Sequence, residues 1–128
     1  MSGDKERMQV DKIILEGMEC YGYHGVSPQE QALGQRFTVD VELFLDLSPA
    51  GKSDGPDHTV DYARVFDLVG KIVGGRPYKL IESVAEAIAS EILRLFPVKE
   101  VMIRVKKPQA PLPGRFSWVA AEIRRKNE

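Results

Sequence analysis

The clearest pattern in the chain is a two-residue alternation from position 36 to position 47. Phe37, Val39, Val41, Leu43, Leu45 and Leu47 take the odd places; Arg36, Thr38, Asp40, Glu42, Phe44 and Asp46 take the even ones. Successive strand side chains point to opposite faces, so this spacing predicts a long strand with one buried face. Residues 8–20, with Ile13, Ile14, Leu15 and Met18, read as a strand before it. Further along the period changes. Tyr62, Val65, Phe66, Val69, Ile72 and Val73 fall on one side of a helix that begins near Thr59 and ends at Gly74-Gly75, with Pro77 beyond the cap. A second helix is predicted from about Leu80 to Phe96 on the stripe Ile81, Val84, Ala85, Ile88, Ile92 and Leu95, and Pro97 stops it. Val101, Ile103 and Val105 alternate with Met102 and Arg104 in a third strand. Residues 115–125 form a fourth, with Val119, Ala121 and Ile123 on one face.

The predicted order is β-β-α-α-β-β. Two helices between two strand pairs point to an α+β fold, an antiparallel four-stranded sheet with both helices on one face. Such a sheet has two open edges, which must be blunted or paired with another copy, so oligomerisation through strand edges is expected. Three segments read as irregular: GYHGVSPQEQALGQ at 22–35, the polar turn SPAGKSDGPDH at 48–58, and the proline-rich connector KPQAPLPG at 107–114. The first is too long for a tight hairpin, which usually takes two to five residues. It carries a single acid, Glu30.

Composition narrows the possibilities. The 128 residues suggest one domain, 8–128, after a frayed polar tail at 1–7. A net charge of −1 supplies no basic field for nucleic acid or for a membrane surface. The strand order and the lack of an aromatic ribonucleoprotein strand also speak against an RNA-binding domain. The single cysteine, Cys20, rules out an intramolecular disulfide and a cysteine-based zinc site, and it fits a cytoplasmic location. The start MSGDKERMQV has no apolar core like that of a signal peptide, and no apolar run approaches the ~20 residues that span a bilayer.

Few residues are candidates for chemistry. His24 and His58 are the only histidines, so a three-histidine metal site is impossible; each is either a locally satisfied loop residue or a base. The strand parity 101, 103, 105 continues to Lys107 on the inward side and leaves Lys106 outward. Lys107 is then either a stem reaching the rim or a functional ammonium, held by Pro108, Pro111 and Pro113. Glu82, in the first helical turn, either complements the helix dipole or recognises a planar edge with two parallel donors. Tyr62 is either core or interface, or a proton donor. Glu30 is either a solvated acid or a site acid. Glycine-rich phosphate loops are absent, and no serine–histidine–aspartate set can be argued.

Four stretches, taken in order, resemble the signature blocks of the dihydroneopterin aldolase family. They are GYHGVSPQEQALGQ, TVDY at 59–62, LIESVAE at 80–86 and KKPQAPLPG at 106–114. The resemblance runs from about Met8 to Arg125. It implies a tunnelling fold whose subunits join edge to edge into a β-barrel ring, as a homo-tetramer or a stacked octamer, with active sites between subunits. It implies retro-aldol cleavage of 7,8-dihydroneopterin in folate biosynthesis, without cofactor, metal or Schiff base. In that picture Glu82 holds the pterin edge with help from the Ile81 backbone. Val60 and Tyr62 reach the ring from the neighbouring subunit. Lys107 acts as general acid and base near N5, paired with Glu30, which binds the side-chain hydroxyls. A related epimerase and a non-catalytic pteridine-binding oligomer are the alternatives, and retention of both Glu30 and Lys107 favours the aldolase.

Overall fold

A computed structural model describes residues 11–127 of the chain. The elements are β1 (Lys12–Gly22), α1 (Pro28–Leu33), β2 (Gln35–Phe44), α2 (Ser48–Ser53), a 3-10 turn (Pro56–His58), α3 (Tyr62–Val73), α4 (Ile81–Leu95), β3 (Glu100–Lys107) and β4 (Val119–Lys126). The strands form one antiparallel sheet in the order β1-β2-β3-β4. Helix α4 lies on β3 and β4, and α3 lies on β1 and against α4. The architecture is the expected α+β layer. The expected tail at 1–7 lies outside the described residues, as does the predicted start of β1 at residue 8.

The alternation in β2 produces the core directly. Phe37, Val39, Val41 and Leu43 are fully buried under the helices, against Val65, Val69 and Val73 of α3 and Val84, Ile88 and Ile92 of α4. The other face of the sheet is built from charge. Asp40 Oδ1 accepts from Gly17 N–H at 2.8 Å, where a bulge shifts the β1 register between Leu15 and Met18. Asp40 Oδ2 accepts from Arg104 at 2.9 Å and Lys106 at 3.0 Å. Burial pushes the Asp40 carboxyl up, but these donors together hold it below its ordinary range. Phe44 is buried on that same face, under Arg124 and Lys12.

Several expected boundaries differ, each for a local reason. The segment 48–58 is mostly helical: Pro49 opens α2, and Asp54, in the left-handed region at φ 58°, closes it. Helix α3 starts at Tyr62 because Asp61 caps it, accepting from Ala63 N–H at 3.0 Å. Its stripe is narrower than the apolar pattern: Val65, Val69 and Val73 are buried, whereas Tyr62 and Phe66 are 61% and 53% exposed. Residues 115–118 belong to the connector. The last β3–β4 pair is Lys107 with Val119, and Pro108 has no N–H with which to continue the ladder. Among the described residues no helix is long and apolar enough to cross a membrane.

Candidate active site

The stretch 22–35 contains a helix that its sequence signals. Ser27-Pro28-Gln29-Glu30 is a capping box: Ser27 Oγ accepts from Glu30 N–H at 3.2 Å, and the Glu30 carboxylate returns to Ser27 N–H at 3.4 Å. Pro28 suits the first turn, and Gly34 ends the helix at φ 70°. Glu30 therefore sits on a fixed helical turn.

Glu30 Oε2 lies 2.6 Å from Lys107 Nζ, and the two side chains are only 13% and 14% exposed. The same oxygen accepts from Gln35 Nε2 at 3.3 Å. Burial pushes the Glu30 carboxyl up; the bonds from Lys107, Ser27 and Gln35 outweigh it and hold the group ionised below its ordinary value. Gly25 makes room for this carboxylate, because a Cβ there would stand 2.5 Å from it. Lys106, one residue earlier, serves the opposite face, bound to Asp40 and lying over the Trp118 ring.

Gln35 joins the Glu30–Lys107 cluster and was not singled out by its sequence. It is 8% exposed, and its Oε1 is buried with no hydrogen-bond partner among the described residues. Its signal was parity: residue 35 shares the inward face of Phe37 and Val39, where a polar side chain needs a reason. An open groove of about 590 Å³ runs beside it, lined by Glu19, Cys20, Tyr21, Gly34, Gln35, Arg36 and Gln109. Cys20 carries a free, half-buried thiol that burial pushes up.

Glu82 occupies the first turn of α4, exposed and without a hydrogen bond or ion pair among the described residues. Leu80 provides no side-chain cap, and the N–H groups of Ile81 and Glu82 have no partner among those residues. The helix start thus offers two free donors beside a free carboxylate. Val60 is buried and Tyr62 exposed, both at the start of α3. The other end of that helix, Val73, touches His24 next to the Glu30 loop. Twelve helical residues span roughly 17 Å, so Tyr62 stands a helix length from Val73 and the His24 contact, while Glu30 and Lys107 meet directly. His58 pairs with Ser53 in an exposed turn. Among the described residues no three His, Cys, Asp or Glu side chains gather at one point.

This is an α+β domain whose sheet end presents a shielded carboxylate–ammonium pair, the equipment of proton-transfer chemistry on a small polar molecule. Comparison with known proteins narrows the class. The model of the family FolB, dihydroneopterin aldolase, matches residues 13–124. The chain is 48% identical to a dihydroneopterin aldolase of Bacillus subtilis (strain 168), over 91% of this chain and 98% of that one. It resembles the crystal structure of E. coli dihydroneopterin aldolase in complex with neopterin, with TM-score 0.84 and 31% identity, over 91% of this chain and 99% of that one. The Burkholderia thailendensis dihydroneopterin aldolase bound to guanine aligns with TM-score 0.73 and 28% identity, over 92% of each chain. The chain belongs to the dihydroneopterin aldolase family.

Proposed function

We propose that the chain is a dihydroneopterin aldolase, a lyase that converts 7,8-dihydroneopterin into 6-hydroxymethyl-7,8-dihydropterin and glycolaldehyde in folate biosynthesis. The observation that carries the reading is the Glu30–Lys107 pair at the sheet end, in a chain of this family.

The chemistry asks little of the protein. The substrate 2′-hydroxyl loses its proton and C2′ becomes a carbonyl. The C1′–C2′ bond breaks, its electron pair moves between C1′ and C6, and the C6=N5 imine shifts its own pair to N5, which takes up a proton. C1′ is then protonated, N5 gives up its proton and the imine is restored. The substrate imine is the electron sink, so the reading needs neither a metal nor a lysine Schiff base. The pairing of Lys107 with Glu30 agrees with this, since an ion-paired ammonium is no nucleophile.

Glu82 accepts from the 2-amino group and ring N–H of the pterin, and the free N–H groups of Ile81 and Glu82 supplement it. Glu30 binds the side-chain hydroxyls. Lys107 holds a water or hydroxyl near N5 and moves the proton. Gln35 Oε1 offers a further acceptor. Val60 and Tyr62 come from a neighbouring subunit in an edge-to-edge ring. Support for that assembly is the exposure of Tyr62 at the far end of α3 from the His24 contact, and the two sheet edges, β1 and β4, that are unpaired among the described residues. Recombination of the cleaved fragments inverts C2′, so 2′-epimerase activity accompanies cleavage. The free thiol of Cys20 suits the cytosol.

Incubation with 7,8-dihydroneopterin, with and without EDTA, tests this by chromatography. Hydroxymethyldihydropterin is expected in both. Its absence from both would sink the aldolase reading, and its loss with EDTA alone would sink the metal-free mechanism. Borohydride inactivation in the presence of substrate would reveal a Schiff base.

A further inference from the structure

His24 is fully buried, yet both of its ring nitrogens are engaged with backbone. Nδ1 accepts from Tyr78 N–H at 3.0 Å, so the ring proton is on Nε2, which donates to Val73 O at 2.6 Å. Next in the chain, Gly25 N–H donates to Tyr78 O at 3.0 Å. The Tyr78 backbone is thus held at both its N–H and its carbonyl, by residues 24 and 25. The ring stacks on Tyr78 and meets Phe37 edge-on. Gly22 leaves the space: a Cβ there would stand 2.5 Å from Val73 O and 2.9 Å from the imidazole.

This clamp joins the two halves of the site. On one side the chain runs from His24 through Ser27 to Glu30; on the other it runs from Tyr78 to Ile81 and Glu82, where α4 begins without a side-chain cap. We propose that His24 is a positioning residue whose neutral imidazole, through its bond from Tyr78 N–H, sets where the Glu30–Lys107 pair stands relative to Glu82. The inference rests on the aldolase reading. Glu82 holds the ring and Glu30 the reacting side chain, so loosening the clamp misaligns the reacting atoms while ring binding survives. The clamp also works only with a neutral ring, because an imidazolium would set a second donor against Tyr78 N–H. The charged and titratable groups around it are the Lys107 ammonium, the Glu30 carboxylate paired with it, the Tyr78 phenol and the Arg76 guanidinium over the Tyr78 ring.

Two variants separate the bonds. His24→Gln places a donor near the Nε2 position but no acceptor at Nδ1, and His24→Asn does the reverse. With 7,8-dihydroneopterin, kcat of folded His24→Gln should fall about a hundredfold with a much smaller change in KM, and His24→Asn should recover part of that loss. Activity that merely follows the folded fraction in both variants would overturn the proposal. The native protein supplies an independent measurement if the variants fail to fold. Imidazole nitrogen NMR should show the Nε2–H tautomer, with kcat falling on the acid side as that ring protonates. An Nδ1–H tautomer, or a ring that titrates without affecting kcat, overturns it. A native chain that releases no hydroxymethyldihydropterin overturns the aldolase reading, and the inference falls with it; that control is read before any variant.

Discussion

Lys107→Ala removes the ammonium that stands 2.6 Å from Glu30 Oε2. The two side chains are 14% and 13% exposed, so water replaces the lost charge poorly. Breaking a fully buried pair from one side costs about 3–5 kcal/mol. Glu30 keeps the Ser27 N–H, the Ser27 hydroxyl and the Gln35 amide, which places the expected loss at about 2–3 kcal/mol. Turnover should fall further, by about 10²–10⁴-fold, as for the loss of a general acid–base group. The control is Lys106→Ala. Its partner Asp40 keeps Arg104 and the Gly17 N–H, so stability should drop by about 1 kcal/mol and turnover should stay close to native. Denaturant unfolding and product chromatography on both variants measure this. Equal losses of turnover would refute the assignment of Lys107. There is also a signature in pH. The Glu30 carboxyl in the folded chain lies below its ordinary 4.5, so it adds stability above that pH and loses it as pH falls through the folded value. Lys107→Ala removes the largest of the interactions that lower it, so the gap between the native and variant stability curves should narrow as pH falls below 4.5.

Gly25→Ala puts a methyl 2.5 Å from the Glu30 carboxyl; thermal unfolding should show a loss of about 1–3 kcal/mol, accompanied by reduced turnover. Glu82→Gln touches an exposed carboxylate without a partner among the described residues, so stability should change by less than about 0.5 kcal/mol. Pterin affinity, followed by fluorescence titration, should fall about tenfold or more, and unchanged affinity would remove Glu82 from the ring-binding role. Burial pushes the His24 imidazole below its ordinary 6.5; the bond to Val73 opposes this and the Lys107 charge reinforces it. The unfolded state therefore takes up the proton first, and native stability should decline as pH drops below 6.5, a slope that disappears in His24→Asn.

The layer architecture was legible in the sequence because it depends on periodicity alone. Phe37, Val39, Val41 and Leu43 declare a half-buried strand wherever their partners lie, and Val65, Val69 and Val73 declare a helix face. The short helices were harder. Ser27-Pro28-Gln29-Glu30 and Ser48-Pro49 contain only capping signals, with no apolar stripe to support them, and so read as turns. Tyr62 and Phe66 fell on the predicted apolar stripe of α3, with Tyr62 open as core, interface or proton donor, because spacing does not say how wide a strip of the helix the sheet will cover. In the site, parity singled out Lys107 and applied equally to Gln35, whose place at the first residue of β2 hid it.

His24 shows most sharply where sequence reasoning stops. Its hydrogen-bond partners, Val73 and Tyr78, lie 49 and 54 residues away and bond it through backbone atoms, so no side-chain pattern could announce those bonds. By itself the sequence determined the strands, the two long helices, the buried face of β2 and the residues able to carry charge at its rim, since these follow from local spacing and from the cost of burying polar groups. The meeting of Glu30 with Lys107 was implied by the family resemblance and by no local spacing; only the tertiary structure decided that Gln35 keeps an oxygen unpaired among the described residues beside them, and that a neutral imidazole ties the loop of one acid to the helix of the other. Those facts depend on distances between segments remote in the chain, which the packing of helices on the sheet sets and no local period encodes.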